Sequence, residues 1–311
     1  MFARNARLFA TSAAALAGLL MPAVALSTSP NAAVTVEFRS ADGVLLADDY
    51  EVDPQAPTFF VVHGFKDQGT SAASLRQAEA IRRWAPGANV IVVDWRVPLA
   101  PRSASCLFQV SWLKGVDTIG RELMGVDADY GRAVEAANEV GQKIADWMKQ
   151  QGIAPSRTVI SGHSLGAQIA AFAGNACVRP ERFGEPIAVI LAADPAGPRF
   201  ERKPPEGRLS KNDAGQVVVV HATEMLGDEN PIGKLDIYIR WPQSATPDYT
   251  RQHSQARELV TECFLQSVSS SGPELSEPDW ESIASLALRL PCEKRVVFSP
   301  DRGSLAATVG R

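Results

Sequence analysis

The chain has no surplus of positive charge: 31 lysines and arginines face 35 aspartates and glutamates, a net charge of -4, with the two signs interspersed. Binding to nucleic acid needs a basic stripe, so a polynucleotide partner is excluded. Cysteine is scarce as well, and the four scattered positions, Cys106, Cys177, Cys263 and Cys292, fit no metal-site spacing. Past the N-terminal leader no run is apolar enough to span a bilayer, and internal repeats and low-complexity linkers are lacking. Histidines number only four. What is present is a 311-residue chain with 45% apolar and 21% charged residues, enough to bury a large core as one globular domain.

The N-terminus reads as a signal peptide over residues 1–25. Arg4 and Arg7 supply the positive start, Leu8 to Leu20 the apolar run, and Ala23-Val24-Ala25 a small-residue cleavage site. The expectation is export, to the medium or a periplasm, with residues 26–311 as the catalytic domain; an uncleaved anchor is the competing reading. All four cysteines then lie in the exported part, where an even number permits two disulfides in three pairings. Cys263 with Cys292 is the preferred pair, and free buried thiols are the alternative.

Short apolar runs alternate with helical patterns along the rest. TFFVVHG at Thr58, NVIVVDW at Asn89, TVISGH at Thr158, AVILAAD at Ala188 and QVVVVHA at Gln216 are continuous rather than alternating, which suits strands buried on both faces. Between the second and third, Val126, Tyr130, Ala133, Ala136, Val140, Ile144 and Trp147 recur at three- or four-residue steps, one face of a helix. Strand and helix in alternation predict an α/β fold, a mainly parallel sheet with helices on both faces. Residues 32–46 add an antiparallel edge hairpin. The proline-bearing stretches at 199–212 and 269–278 read as surface loops.

One corner of this pattern carries chemistry. In VISGHSLGAQIAAFAG, Ser164 stands between glycines where a strand turns into a helix. Such a turn lifts the serine from the sheet's carboxyl edge, the flanking glycines let backbone approach, and the helix start favours developing negative charge. A nucleophilic serine needs a base. His163 adjoins it on the turn, His63 opens the loop HGF, and His221 ends a buried strand. His253 lies in the polar loop TPDYTRQHSQAREL, ahead of a helix, and is the preferred base, with His221 as fallback. The acid is Asp194, which closes the run AVILAAD; a lone carboxylate there invites a specific partner. Asp228 and Asp248 close no buried strand. The chain order Ser164, Asp194, His253 is that of α/β-hydrolases.

These pieces together resemble the pancreatic lipase family, a secreted branch of the α/β-hydrolases. The resemblance runs from about Thr58 to Cys263, through FVVHGF, VDW, SGHSLGAQIAAFAG, ADPAGPRF, RLSKNDAGQVVVVHA and HSQARELVTEC. It implies Ser164 as nucleophile, Asp194 as acid, His253 as base, and the backbone N–H groups of Phe65 and Leu165 as the oxyanion hole, with Gly64 and Gly166 shaping it. The chain departs from the family in three places. Where some members bind calcium, Ser210 replaces a carboxylate and Lys211 adds positive charge, so no metal or other cofactor is expected. The C-terminal segment past about residue 294 is short for the family's β-sandwich, so neither that domain nor a colipase-like partner is expected. Gln255 stands where an arginine usually follows the base.

The sequence thus implies a secreted serine carboxylester hydrolase, lipase-, phospholipase A1- or esterase-like, acting on lipid or small acyl esters and touching lipid surfaces transiently. A peptidase or acyltransferase with the same triad, and a lipid-binding protein without chemistry, are the alternatives. The interval from Ala222 to Gln252 leaves little room for a lid, and the apolar cluster at Leu107, Phe108, Val110, Trp112 and Leu113 within residues 96–125 is either a substitute cover or core.

Overall fold

Continuous apolar runs become interior strands because every residue of such a strand faces packed side chains, on one sheet face or the other. In the computed structural model they are β2 (Thr58–Val62), β3 (Asn89–Arg96), β4 (Thr158–His163), β5 (Ile187–Ala193) and β6 (Ala214–His221). The structure describes residues 34–98, 128–241, 248–267, 295–299 and 303–305, apart from positions 48 and 240. The leader, Cys106, Cys292, the loop at 269–278 and the apolar cluster at 107–113 lie outside these residues.

Three further strands flank the run of five at its two edges, with β7 (Leu235–Ile239) between: β1 (Thr35–Ser40), β8 (Arg295–Ser299) and β9 (Gly303–Leu305). The sheet order is β1-β3-β2-β4-β5-β6-β7-β8-β9. Strands β2 to β7 pair in parallel. β1 runs antiparallel along β3, and β8 and β9 add antiparallel pairs at the other edge. The expected edge hairpin is there, its return arm bridged between Arg39 and Leu45.

Among the described residues four helices cover the sheet: α1 (Ala72–Trp84), α2 (Ala128–Gln150), α3 (Leu165–Cys177) and α4 (Tyr249–Ser267). Phe60, Val62, Ile91 and Ile160 face α2 and α3 and share a core with Val140, Ile144 and Ile169. Their sequence neighbours Phe59, Val61, Val92 and Val159 face the other way, against Ile81 of α1 and Ala256, Val260 and Phe264 of α4. Each fully buried aliphatic or aromatic side chain is worth roughly 1.5–3 kcal/mol, so both layers contribute. This is the α/β-hydrolase arrangement. α1 starts at Ser71, whose hydroxyl accepts the Ser74 N–H, an ordinary N-cap.

Helix α2 is turned slightly from its expected face. Tyr130, Ala133, Val140 and Ile144 are buried, but Ala137 and Met148 complete the stripe, while Ala136 and Trp147 are only partly covered. Trp147 instead stacks on Phe38 of the edge strand, ring centroids 4.5 Å apart. A bulky indole is accommodated at the border of the helix interface, where the small Ala137 suits close packing. Cys177 is a free, buried thiol, which burial pushes up to about 12. Among the described residues no helix is long and apolar enough to cross a membrane.

One buried charge cluster fixes the edge of the sheet. Asp94, near the end of β3 and 1% exposed, accepts from Arg39 Nε at 3.0 Å, Arg96 at 2.7 Å and the Gly69 N–H at 3.0 Å. Burial alone raises its pKa, but the hydrogen bonds and the Arg96 charge outweigh it and hold the carboxyl well below the ordinary value. A carboxyl lowered on folding stabilises the native state above its unfolded pKa, and that stabilisation is lost as pH falls toward the folded value. Asp94→Asn is therefore expected to cost about 2–3 kcal/mol at pH 7. The gap in urea midpoint between the two proteins should narrow as pH is taken down from 7 to about 3; a constant gap would remove the charge from the explanation.

Candidate active site

The parallel register sets the site's height. His163 pairs with Ala193, and Ala193 with Val220. The next residues, Ser164, Asp194 and His221, therefore leave three adjacent strands at the carboxyl edge. Ser164 takes φ 56 and ψ -120, a conformation costing a non-glycine residue of order 1–3 kcal/mol. Local bonds hold it: its N–H donates to the Ala193 carbonyl at 2.9 Å, and its own carbonyl accepts the Ala167 and Ala196 N–H groups at 3.1 Å. α3 begins at the next residue, so the Leu165 N–H is the first of the helix and has no partner within it.

Close approach makes two glycines obligatory. A Cβ on Gly166 would lie 2.2 Å from the Val62 carbonyl oxygen, and one on Gly64 would lie 2.9 Å from Ser164 Cβ. The loop after β2 is thus laid directly on the serine turn, which brings Phe65 to the same edge. Its ring meets Tyr130 edge-on, centroids 5.3 Å apart.

Asp194 is caged. Oδ1 accepts the Ala222 N–H at 2.7 Å and the Thr223 N–H at 3.2 Å; Oδ2 accepts the Thr223 hydroxyl at 2.6 Å and His253 Nδ1 at 2.6 Å. Four donors suit an ionised carboxylate, so Nδ1 carries the imidazole proton and Nε2 keeps its lone pair. His253 sits in the first turns of α4, and Asp248 caps that helix, accepting the Arg251 N–H at 3.0 Å.

The other histidines are occupied elsewhere. His221 Nε2 meets Asp236 Oδ1 at 2.7 Å, its Nδ1 meets the Asp228 carbonyl at 2.5 Å, and its ring stacks on Tyr238. His63 donates from Nδ1 to the Gly64 carbonyl at 2.8 Å, accepts the Trp95 N–H on Nε2 at 3.2 Å, and lies flat against that indole. His163 turns away from the serine and donates from Nε2 to the His253 carbonyl at 3.1 Å. Burial, with help from the nearby His253 and Arg257 charges, pushes its pKa well down, so it works as a neutral donor. Its buried Nδ1 has no partner among the described residues.

The rival acids are committed too. Asp228 accepts from Arg208 at 2.9 Å and from Asn230, and Asp248 is the helix cap. In the segment that binds calcium in some lipases, the Ser210 N–H closes on Asp213 at 2.6 Å, and burial pushes the Asp213 carboxyl up to about 7. A carboxyl held near neutrality and turned back on its own loop does not fit a hard cation wanting several anionic oxygens. Among the described residues no group of three or more acidic, histidine or cysteine side chains is placed to hold a metal.

Sequence reading missed Thr223, which donates to Asp194 twice, from its N–H and its hydroxyl, while that hydroxyl accepts the Gly227 N–H at 2.9 Å. Its signal was positional: it follows the end of β6, the strand beside Asp194. It also missed Arg257, one helical turn past His253, whose guanidinium reaches Asp67 at 2.5 Å.

Comparison with known proteins bears on the same stretch. A family model described as Lipase matches residues 102–250, which takes in Ser164 and Asp194 and stops short of His253. Probable phospholipase A1 magnifin of Vespa magnifica is 28% identical over 241 residues, covering 74% of this chain and 64% of that protein. Phospholipase A1 of Vespa velutina is 28% identical over 74% of this chain and 71% of its own length, and phospholipase A1 2 of Dolichovespula maculata 31% identical over 66% and 64%. The chain thus spans a little under two thirds of two of these relatives. Among solved structures, esterase PE8 aligns at 20% identity with a TM-score of 0.34 over 60% of this chain and 74% of that one. The parallel sheet, the strained serine turn at its carboxyl edge and the lipase-type match through that turn all point one way: the chain is similar to lipases, on an α/β-hydrolase fold.

Proposed function

We propose that the protein is an exported serine carboxylester hydrolase of lipid acyl esters, with Ser164, His253 and Asp194 as its triad. The observation that carries this reading is the buried 2.6 Å contact between Asp194 Oδ2 and His253 Nδ1, beside a serine held at positive φ. In the proposed reaction, Ser164 Oγ attacks the ester carbonyl carbon as its proton passes to His253 Nε2. The carbonyl π electrons move to oxygen, which faces the N–H groups of Phe65 and Leu165. Collapse expels the alcohol, which takes the proton from His253. Water then repeats the sequence on the acyl-enzyme, releasing the fatty acid and restoring the serine hydroxyl. Asp194 holds the imidazole tautomer and balances the imidazolium. These steps draw on side chains and backbone alone.

Relatives named phospholipase A1 support glycerophospholipids among the substrates, cleaved at the first acyl position. The leader pattern at residues 1–25 supports export. The test is fatty-acid release from vesicles of phosphatidylcholine labelled at the first acyl position, beside a triacylglycerol emulsion and nitrophenyl esters of increasing chain length. Turnover lost in Ser164→Ala is the expected result. Retention of labelled lipid by the protein without release would identify a lipid carrier instead.

A further inference from the structure

The oxyanion loop and the base come from different parts of the chain, and one ion pair joins them. Phe65 lies in a four-residue turn, Gly64 to Asp67, closed by the Asp67 N–H on the Gly64 carbonyl at 3.3 Å. Lys66 within that turn has φ 62, a left-handed conformation unfavourable for a residue with a side chain. A turn of this kind keeps its shape only when its ends are held. Asp67 is the held end: its carboxylate accepts the Gln68 N–H at 2.9 Å and Arg257 at 2.5 Å.

Arg257 lies four residues after His253, on the same face of α4, and is 9% exposed. Its Nε is buried with no partner among the described residues, so the contact with Asp67 is the anchor the structure gives this guanidinium. A second link to α4, from Arg76 of α1 to Glu258 at 2.7 Å and to Glu262, lies outside on half-exposed side chains. Exposed pairs of that kind contribute little, whereas a covered pair at the site sets geometry.

We infer that Asp67 and Arg257 form a positioning pair, locking the turn that aims the Phe65 N–H to the helix that carries His253, so that oxyanion donor and base keep a fixed spacing. The inference rests on the triad proposed above. Neither side chain is assigned to substrate, so losing the pair should act on the transition state and spare ground-state binding.

The experiment is steady-state hydrolysis of a nitrophenyl ester by Asp67→Asn, Arg257→Ala, Arg257→Lys and the double variant Asp67→Asn with Arg257→Ala, with thermal melts of each. Each uncharged single variant should lose roughly 10- to 100-fold in kcat with KM within about threefold. The double variant should be no worse than the poorer single, since the two act as one unit. Arg257→Lys, which keeps a charge of similar reach, should recover part of the loss, and Arg76→Ala should stay within about twofold of the parent. Multiplying losses in the double variant, unchanged kcat in both singles, or losses that disappear once the unfolded fraction is corrected would overturn the pair's role alone. Absence of Ser164-dependent turnover in the unaltered protein would overturn the hydrolase reading and the pair's role with it.

Discussion

Ser164→Ala is expected to lower kcat toward nitrophenyl esters by about 10⁴-fold or more, and His253→Ala by a comparable factor, with the double variant no worse than either. The physical ground is that a serine hydroxyl is a weak nucleophile until its proton has somewhere to go. Asp194→Asn should be nearly as damaging, because an amide can present its NH₂ to the imidazole and favour the wrong tautomer. Folding should survive in all three, since Ser164, His253 and Asp194 are polar side chains at the sheet's carboxyl edge and belong to neither apolar cluster of the core. His221→Ala makes the discriminating contrast. That ring bridges Asp236 and the Asp228 carbonyl and stacks on Tyr238, so its removal should lower the Tm by several degrees while a folded fraction keeps most of its kcat. A folded His221→Ala protein without activity, beside an active His253→Ala, would reverse the choice of base.

Gly166→Ala is expected to cost about 3 kcal/mol and to lower the Tm on the order of 10 °C. The added methyl would sit 2.2 Å from the Val62 carbonyl oxygen and 2.6 Å from that of His63, both backbone atoms of a buried strand end. Neither can swing aside as a side chain does, so the start of α3 must move off the sheet. That movement carries Ser164 and the Leu165 N–H with it, and kcat should fall further than stability alone explains. Gly207→Ala is the control, because its methyl meets only the flexible Lys203 side chain, at 3.3 Å, and should change stability by less than about 1 kcal/mol. Equal melts for the two variants would mean that the strand and helix ends give way more easily than their packing implies.

The legible parts of the fold were those in which one residue type answers one demand. Continuous runs such as Phe59 to Val62 and Val217 to Val220 have no polar face, so they had to be strands covered on both sides. The helix from Ala128 was legible in its period but not in its rotation. Ala137 and Met148 carry the stripe, and Trp147 is drawn to Phe38, a choice set by the shape of the neighbouring helix and the edge strand. At the site, elimination among four histidines drew on chain order and strand ends, which are one-dimensional features; the structure sets His253 against Asp194 and His221 against Asp236, and places His253 within a helix rather than in the expected polar loop. Thr223 and Arg257 escaped it, since a hydroxyl after a strand and an arginine on a helix are ordinary until their partners are known.

By itself the sequence determined the five buried strands, the alternation of strand and helix, the serine turn with its glycines, and a short roster of acids and histidines, because each follows from local sterics and from how far apart apolar residues stand. Only the tertiary structure decided the pairings. Asp194 goes to His253, Asp236 to His221, Asp94 to Arg39 and Arg96, and Asp67 to Arg257. A buried carboxylate must find a donor, but that rule does not say which of several donors lies within 3 Å. Parallel register answers it: β4, β5 and β6 end at one height, which puts Ser164, Asp194 and the Ala222–Thr223 amides side by side, and α4 then brings His253 down from a segment far along the chain.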